Sequence, residues 1–322
     1  MSAEKLAIVF IGRNEGARLV RCLASLKGLN AELVYVDSGS TDDSVVNAKA
    51  AGAKIVELST DRPFTAARAR TAGFESLEGP PEFVQFIDGD CAVKDGWIDA
   101  GLRALETNPE LGIVTGWRSE IYRDKSIYNA LCDFEWHRPA GEILACGGDM
   151  MVRSDAFTKV GGFDEAVIAA EDDEFCTRVR KAGWKIERLP IEMTLHDAAM
   201  TKFSEWWKRA VRSGHGFAQV GDMHPEYFTR ERKRVLFYAA VLPVLALISA
   251  WFVPLGIGLI AGLYLMSYVR SIQGLMREGL PAKEAMHHAV FLVLSKFPNL
   301  LGMAIFYWRK LRGHKMNIIE YK

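Results

Sequence analysis

The 322-residue sequence has only five cysteines, Cys22, Cys91, Cys132, Cys146 and Cys176, and no two of them form a CxxC pair. An odd number at irregular spacing excludes a disulfide framework, so the thiols read as reduced and mostly buried. Net charge is also missing, because 40 acidic side chains balance 40 basic ones. Without a global positive field, attraction to polyanions has to come from local clusters, and no nucleic-acid partner is expected. Low-complexity runs and short repeats are absent, and nothing resembles a P-loop or a zinc site, which removes the fibrous, disordered and P-loop classes. The amino terminus has an apolar run only from Leu6 to Gly12, flanked by acid. That is too short for a secretory signal, so the front of the chain is expected to stay in the cytosol.

What is present is an apolar surplus: 49% of residues are hydrophobic and 25% charged. The surplus sits late, where residues 235–269 carry no charged side chain. One helix of that length would span roughly 50 Å, well beyond a hydrocarbon core of roughly 30 Å. Two passes fit better, with a break at Pro254 followed by Gly256 and Gly258. A second apolar stretch, 286–308, holds Lys296, Pro298 and Asn299 near its middle. A mid-bilayer charge costs at least about 2.5 kcal/mol, so this stretch is expected to be re-entrant or interfacial. Basic residues flank both ends (Arg230, Arg232, Lys233, Arg234; Arg309, Lys310, Arg312, Lys315), which predicts cytosolic ends and an even number of crossings. In the alternative, 235–269 crosses once, broken and tilted, and 286–308 returns.

The front two thirds differ. Segments 6–11, 32–36, 54–58 and 83–87 are short, apolar and rich in Val, Ile and Phe, as buried strands are. Helical spacing lies between them, at 15–26, 41–51 and 65–74. Alternating strand and helix predicts an α/β fold with a mostly parallel sheet, whose ligands bind at the carboxyl edge. Three of those edges end in polar residues: Arg13 and Asn14, Asp37 and Ser38, Asp88 and Asp90.

Three motifs carry chemistry. In FIDGD, a strand ends on Asp88, Gly89 and Asp90, and two carboxylates flanking a glycine suit a hard divalent cation on a diphosphate. In VYVDSGSTDDS, Asp37 ends a strand and can accept from a base or ribose, while Ser40 or Thr41 is expected to cap the helix that starts near Asp42. In AAEDDEFCTRVRKAGW, Glu171, Asp172, Asp173 and Glu174 crowd a helix start. The helix dipole favours acids there, and crowding raises a carboxylate's pKa toward that of a useful base. Further on, Phe203, Trp206, Trp207, Ala210 and Val211 share a helix face beside Lys208, Arg209 and Arg212, an interfacial-helix composition.

In their order, NEGARLVRCLASL, VDSGSTDDS, ARARTAG, FIDGD, GGDMMVRSDAF, VGGFDE and EDDEFCTRVRKAGW resemble the family 2 glycosyltransferases over about residues 5–200. The resemblance implies a GT-A catalytic domain over 1–200, and composition adds an amphipathic interfacial region over 201–234 and a membrane domain over 235–322. It implies an inverting transfer from a nucleotide-sugar, with a UDP-sugar expected, and a Mg or Mn ion. By motif position it assigns Asp37 to the base, Arg70 and Asp88 to the nucleotide, and Asp90 to the metal, with His196 as a further metal or diphosphate contact. Gly148 lines the sugar pockets, Asp172 is the base and Glu171 sits beside it to orient the acceptor. Thr71 stands where the family usually has Asn, and no QxxRW motif of processive synthases is present. The expected function is transfer of one sugar to a lipid-linked saccharide acceptor in cell-surface polysaccharide synthesis, at the inner membrane with the catalytic domain cytoplasmic. The alternatives are a polyprenyl-phosphate glycosyltransferase and a non-catalytic membrane scaffold.

Overall fold

The computed structural model describes residues 5–79, 81–252 and 255–319. The chain divides into two compact units, residues 1–124 with 132–199, and residues 125–131 with 200–322.

The first unit is built on one mixed sheet. Its strands are β1 (Leu6–Gly12), β2 (Glu32–Asp37), β3 (Lys54–Glu57), β4 (Phe83–Asp88), β5 (Cys91–Val93), β6 (Leu111–Glu120), β7 (Gly141–Glu142), β8 (Met150–Arg153) and β9 (Lys185–His196). They lie in the order β3-β2-β1-β4-β8-β6-β9-β5, with β7 on β9. The half made of β3, β2, β1 and β4 is parallel, as the alternating pattern predicts, whereas β8 runs antiparallel to both β4 and β6. Helices α1 (Ala17–Leu26), α2 (Ser44–Ala50), α3 (Ala66–Glu75), α4 (Trp97–Thr107), α5 (Ile127–Trp136), α6 (Ser154–Lys159) and α7 (Glu171–Lys181) complete the first unit, with the start of α5 counted in the second.

Strand β1 is buried on both faces, and its alternation decides which core each residue joins. Ile8 and Phe10 pack with Leu19, Cys22 and Leu26 of α1 and Trp97 of α4, while Ala7 and Val9 pack with Ala67 and Ala69 of α3 and Phe175 of α7. Gly73 lets α3 lie close on the sheet, since a Cβ there would collide with Val9 and Val36. The registers Gly12 with Asp37 and Ile11 with Asp88 then bring the polar ends of β1, β2 and β4 level at one edge. All five cysteines are free and buried.

The second unit is helical: α8 (Phe203–Met223), α9 (Thr229–Leu236), a π-helical turn Phe237–Val241, α10 (Leu242–Phe252), α11 (Leu255–Arg277), α12 (Ala282–Leu294) and α13 (Lys296–Leu311). Among the described residues, three helices are long and apolar enough to cross a membrane, Thr229–Phe252, Leu255–Arg277 and Ala282–Leu311. The break expected at Pro254 lies outside the described residues. Leu247, Trp251, Leu255 and Leu259 of α10 and α11 are exposed by 75% or more, a surface that water would not stabilise. Helix α13 instead packs along α8, where Gly214 and Gly302 let the backbones touch: a Cβ on Gly302 would collide with the Val211 carbonyl. Lys310 of α13 pairs with Asp222 at the end of α8. Trp206, Ala210 and Val211 are buried, so most of the apolar stripe of α8 serves packing, while Phe203 stays exposed.

Candidate active site

At the end of β2 the carboxylate of Asp37 is buried, and the loop that follows folds back on it. Its Oδ2 accepts from the backbone N–H groups of Gly39 (2.9 Å) and Ser40 (2.8 Å), and its Oδ1 accepts from the Tyr35 hydroxyl (3.3 Å). Ser40 and Thr41 do not cap α2. Ser40 Oγ accepts from Asn14 N–H (2.9 Å), and Thr41 N–H donates to Asn14 Oδ1 (2.7 Å), so they tie the β1 and β2 loops together. The turn into α2 is made by Asp42, which accepts from Ser44 N–H (3.0 Å) and, on its other oxygen, from Gly16 N–H (3.0 Å).

A buried ion network joins the neighbouring edges. Arg70 of α3, 2% exposed, donates from Nη2 to Asp88 (2.6 Å) and from Nη1 to Glu171 (2.9 Å). Gly148 leaves room for that guanidinium, which a Cβ would overlap. Asp88 also meets Arg118 of β6 (3.4 Å), whose Nη2 lies 2.8 Å from Asp149. Asp149 is saturated: Oδ1 accepts from Asp88 N–H (2.9 Å) and Oδ2 from the Thr194 hydroxyl (2.7 Å). Burial opposes charge on Asp88, but the Arg70 and Arg118 cations outweigh it and hold the carboxyl below the ordinary aspartate range.

One turn past Asp88, Asp90 Oδ1 lies 3.2 Å from His196 Nε2 at the end of β9, because β5 and β9 pair with Cys91 opposite His196. The other imidazole nitrogen faces Glu120 at 3.7 Å, and the indole of Trp136 packs edge-on against the ring at 4.6 Å. Burial works against a charged His196, but Asp90 and Glu120 prevail and raise its pKa. Ligand atoms of Asp90, Cys91 and His196 all fall within 4.8 Å of one another. The carboxylate and imidazole would suit a divalent cation.

Asp172 lies in the first turn of α7, beside Glu171 and Asp173. Burial first, then its acidic neighbours, push its pKa well above the usual aspartate value against the pull of Arg70. Asp172, Asp149, Arg118 and Trp136 line one cavity of about 250 Å³, with Gly147 and Cys146 on its wall. The site thus places a basic carboxylate, a buried arginine network and a carboxylate–imidazole pair on one edge of the sheet.

The sequence pattern of "Glycosyl transferase family 2" matches residues 7–158, and that described as the N-terminal domain of galactosyltransferase matches residues 125–202. The chain carries a family 2 glycosyltransferase domain. A pre-mycofactocin glycosyltransferase of Mycobacterium tuberculosis (strain CDC 1551 / Oshkosh) is 27% identical over 241 residues, covering 70% of this chain and 49% of the relative. The chain therefore spans about half the length of the curated relatives it matches. Among solved structures, the mannosyltransferase PcManGT from Pyrobaculum calidifontis, in complex with GDP-Man and Mn2+, has a TM-score of 0.60 at 17% identity. It covers 93% of this chain and 88% of that one. S. aureus TarS, residues 1–349, has a TM-score of 0.50 at 15% identity, covering 96% and 92%. These likenesses are of fold, and they make the first unit of this chain a GT-A α/β domain.

Within the first unit, the structure brings Arg70, Asp88, Glu171 and Gly148 into contact, pairs Asp90 with His196, and sets Asp172 on the cavity wall; Asp37 holds its own loop on β2. Thr71 is occupied elsewhere, since its hydroxyl donates to the Phe163 carbonyl (3.3 Å) and accepts from Phe163 N–H (3.2 Å), tying α3 to the GGFDE segment. Arg118, Glu120, Trp136 and Thr194 escaped the sequence reading. They come from β6, α5 and β9, where local pattern marks only strand or helix; the pairing of β6 with β9 brings Arg118, Glu120 and Thr194 to the site, and packing of α5 brings Trp136 against His196.

Proposed function

We propose that the chain is an inverting glycosyltransferase that moves one sugar from a nucleotide-sugar donor to an acceptor hydroxyl. The observation that carries this reading is the single cavity wall shared by Asp172, whose pKa is raised, and the Arg118–Asp149 pair that holds Asp88. Asp37 is suited to the base, and Arg70 with Asp88 to the nucleotide. Asp90 and His196 would hold a Mg or Mn ion, which supplies charge neutralisation for the departing diphosphate. The acceptor oxygen attacks the anomeric carbon as the bond to the diphosphate breaks, and its proton passes to Asp172. Glu171, fixed by Arg70, orients that end of α7.

A polyprenyl-linked saccharide fits the acceptor role because a lipid substrate accounts for the apolar helices. Under this reading α10 and α11 form a hairpin in the inner membrane and the family 2 domain faces the cytoplasm. The close packing of α13 on the amphipathic helix α8 favours an interfacial α13 over a third crossing. The test incubates the full chain and membrane lipid extract with Mn2+ and a panel of UDP- and GDP-sugars, following nucleoside diphosphate release and lipid-linked product. Release with one donor, dependent on lipid and metal, is expected. Metal-dependent nucleotide binding with no transfer to any lipid would overturn the acceptor assignment, and absence of nucleotide binding would overturn the enzyme.

A further inference from the structure

A groove of about 410 Å³ opens on the helical unit, apart from the residues of the candidate active site, with Lys233, Leu236, Ala304 and Tyr307 exposed along it. On one side it is lined by Thr229, Arg232, Lys233 and Leu236 of α9, and on the other by Leu300, Met303, Ala304 and Tyr307 of α13. Each set follows the i, i+3, i+4, i+7 spacing of a single helix face, so two stripes oppose one another. The cations are gathered at α9, and among the described residues no carboxylate lines the cavity. Arg232 is held by its Nη2, which donates to the Pro225 and Tyr227 carbonyls (3.0 and 3.4 Å). Lys233 is exposed.

These features select an amphiphile. An inorganic anion would leave the exposed Leu236 and Ala304 facing water, and a bare hydrocarbon would cover the exposed Lys233 ammonium with no anion to balance it. A phosphate head with a hydrocarbon chain satisfies both ends. The order of residues agrees, because Arg232 and Lys233 stand in the first turns of the 24-residue apolar helix Thr229–Phe252 and Leu236 follows one turn deeper. That is the depth sequence of headgroup and acyl chain at a bilayer surface.

We propose that this cavity holds one phosphate-headed lipid of net negative charge, its phosphate on Arg232 and Lys233 and its chain along Leu236 and the α13 stripe. The proposal rests on the membrane reading of Thr229–Phe252 and is independent of the catalytic assignment. The test is native mass spectrometry of the full chain released from detergent micelles, titrated with phosphatidylglycerol or phosphatidylcholine. Retention of one phosphatidylglycerol, with about tenfold preference over phosphatidylcholine, is expected. K233Q and R232Q should each lower the preference several-fold, and A304F, which fills the cavity without changing charge, should abolish retention. R230Q removes the same charge from a residue that does not line the cavity and should leave the preference intact. Equal retention of the two lipids, or a loss in R230Q matching that in K233Q, would overturn the site. Undecaprenyl phosphate added in competition identifies the occupant, a polyprenyl phosphate if it displaces phosphatidylglycerol and a bilayer phospholipid if it does not. Displacement by inorganic phosphate alone would overturn a lipid occupant. Failure of the membrane reading shows separately, as release of the chain from membranes by alkaline carbonate.

Discussion

Asp172 and Glu171 are neighbours with opposite circumstances. Glu171 is consumed by a 2.9 Å ion pair with Arg70, whereas Asp172 is crowded by acids and desolvated. The first is held in place and the second is ready to take a proton. D172N is expected to lower kcat by about 10²- to 10⁴-fold while nucleotide affinity, measured by calorimetry, stays within a few-fold. Near-wild-type turnover would remove Asp172 as base, and if transfer to a phosphate acceptor persisted it would point to polyprenyl-phosphate chemistry. The pH profile carries the same sign. A raised pKa means that the proton stays on until above the ordinary value of about 3.9, so the acidic limb of kcat/KM should lie clearly above it. In D172E the limb should move with the new carboxyl, and an unmoved limb would assign it to another group. Arg118 is different in kind, because removing it strands Asp149, which is 1% exposed, without its cation. R118A should cost about 3–5 kcal/mol of stability, read as a lowered denaturation midpoint with and without nucleotide.

Element-scale packing explains why distant residues meet. Strand β6 ends in Arg118, Ser119 and Glu120, and its irregular parallel register with β9 places Glu120 opposite His196. A strand reads locally as apolar alternation, so its partner, and therefore its contribution to the site, stays hidden until the sheet forms. The α8–α13 pair shows the same dependence. Gly214 and Gly302 look like weak helix positions, yet each occupies a place where the facing backbone leaves no room for a Cβ. G302V should therefore lower the melting midpoint of the detergent-solubilised chain, at a cost of at least about 1–3 kcal/mol. G258V, at a glycine with open space around it, serves as the control and should melt close to wild type. Equal midpoints for G302V and wild type would mean that the two helices do not pack as described.

For the whole molecule, the exposed apolar surfaces of α10 and α11 predict an integral protein. After an alkaline carbonate wash the chain is expected in the membrane pellet, and quantitative release would contradict a spanning hairpin. Chelation of divalent ions should abolish transfer and Mn2+ should restore it, while H196A should raise the metal concentration for half-activity. An unchanged metal requirement in H196A would leave Asp90 without its imidazole partner in that role.

Much of this was legible along the chain. Buried strands ending at Asp37 and Asp88, the crowded acids of α7 and the charge-free run from residue 235 depend on short-range periodicity and composition, which a linear reading captures. Ordered motifs named the family because their combination is specific even where each piece is common. Other matters belonged to the tertiary structure. Ser40 and Thr41 were expected as helix caps, and the fold uses them to bind Asn14 instead. The antiparallel β8, the Arg118–Asp149 pair, the Glu120–His196 approach and the groove between α9 and α13 all join residues distant in sequence. Their partners are chosen by which faces must be buried and which buried charges must be matched, conditions that exist only once the chain has closed on itself.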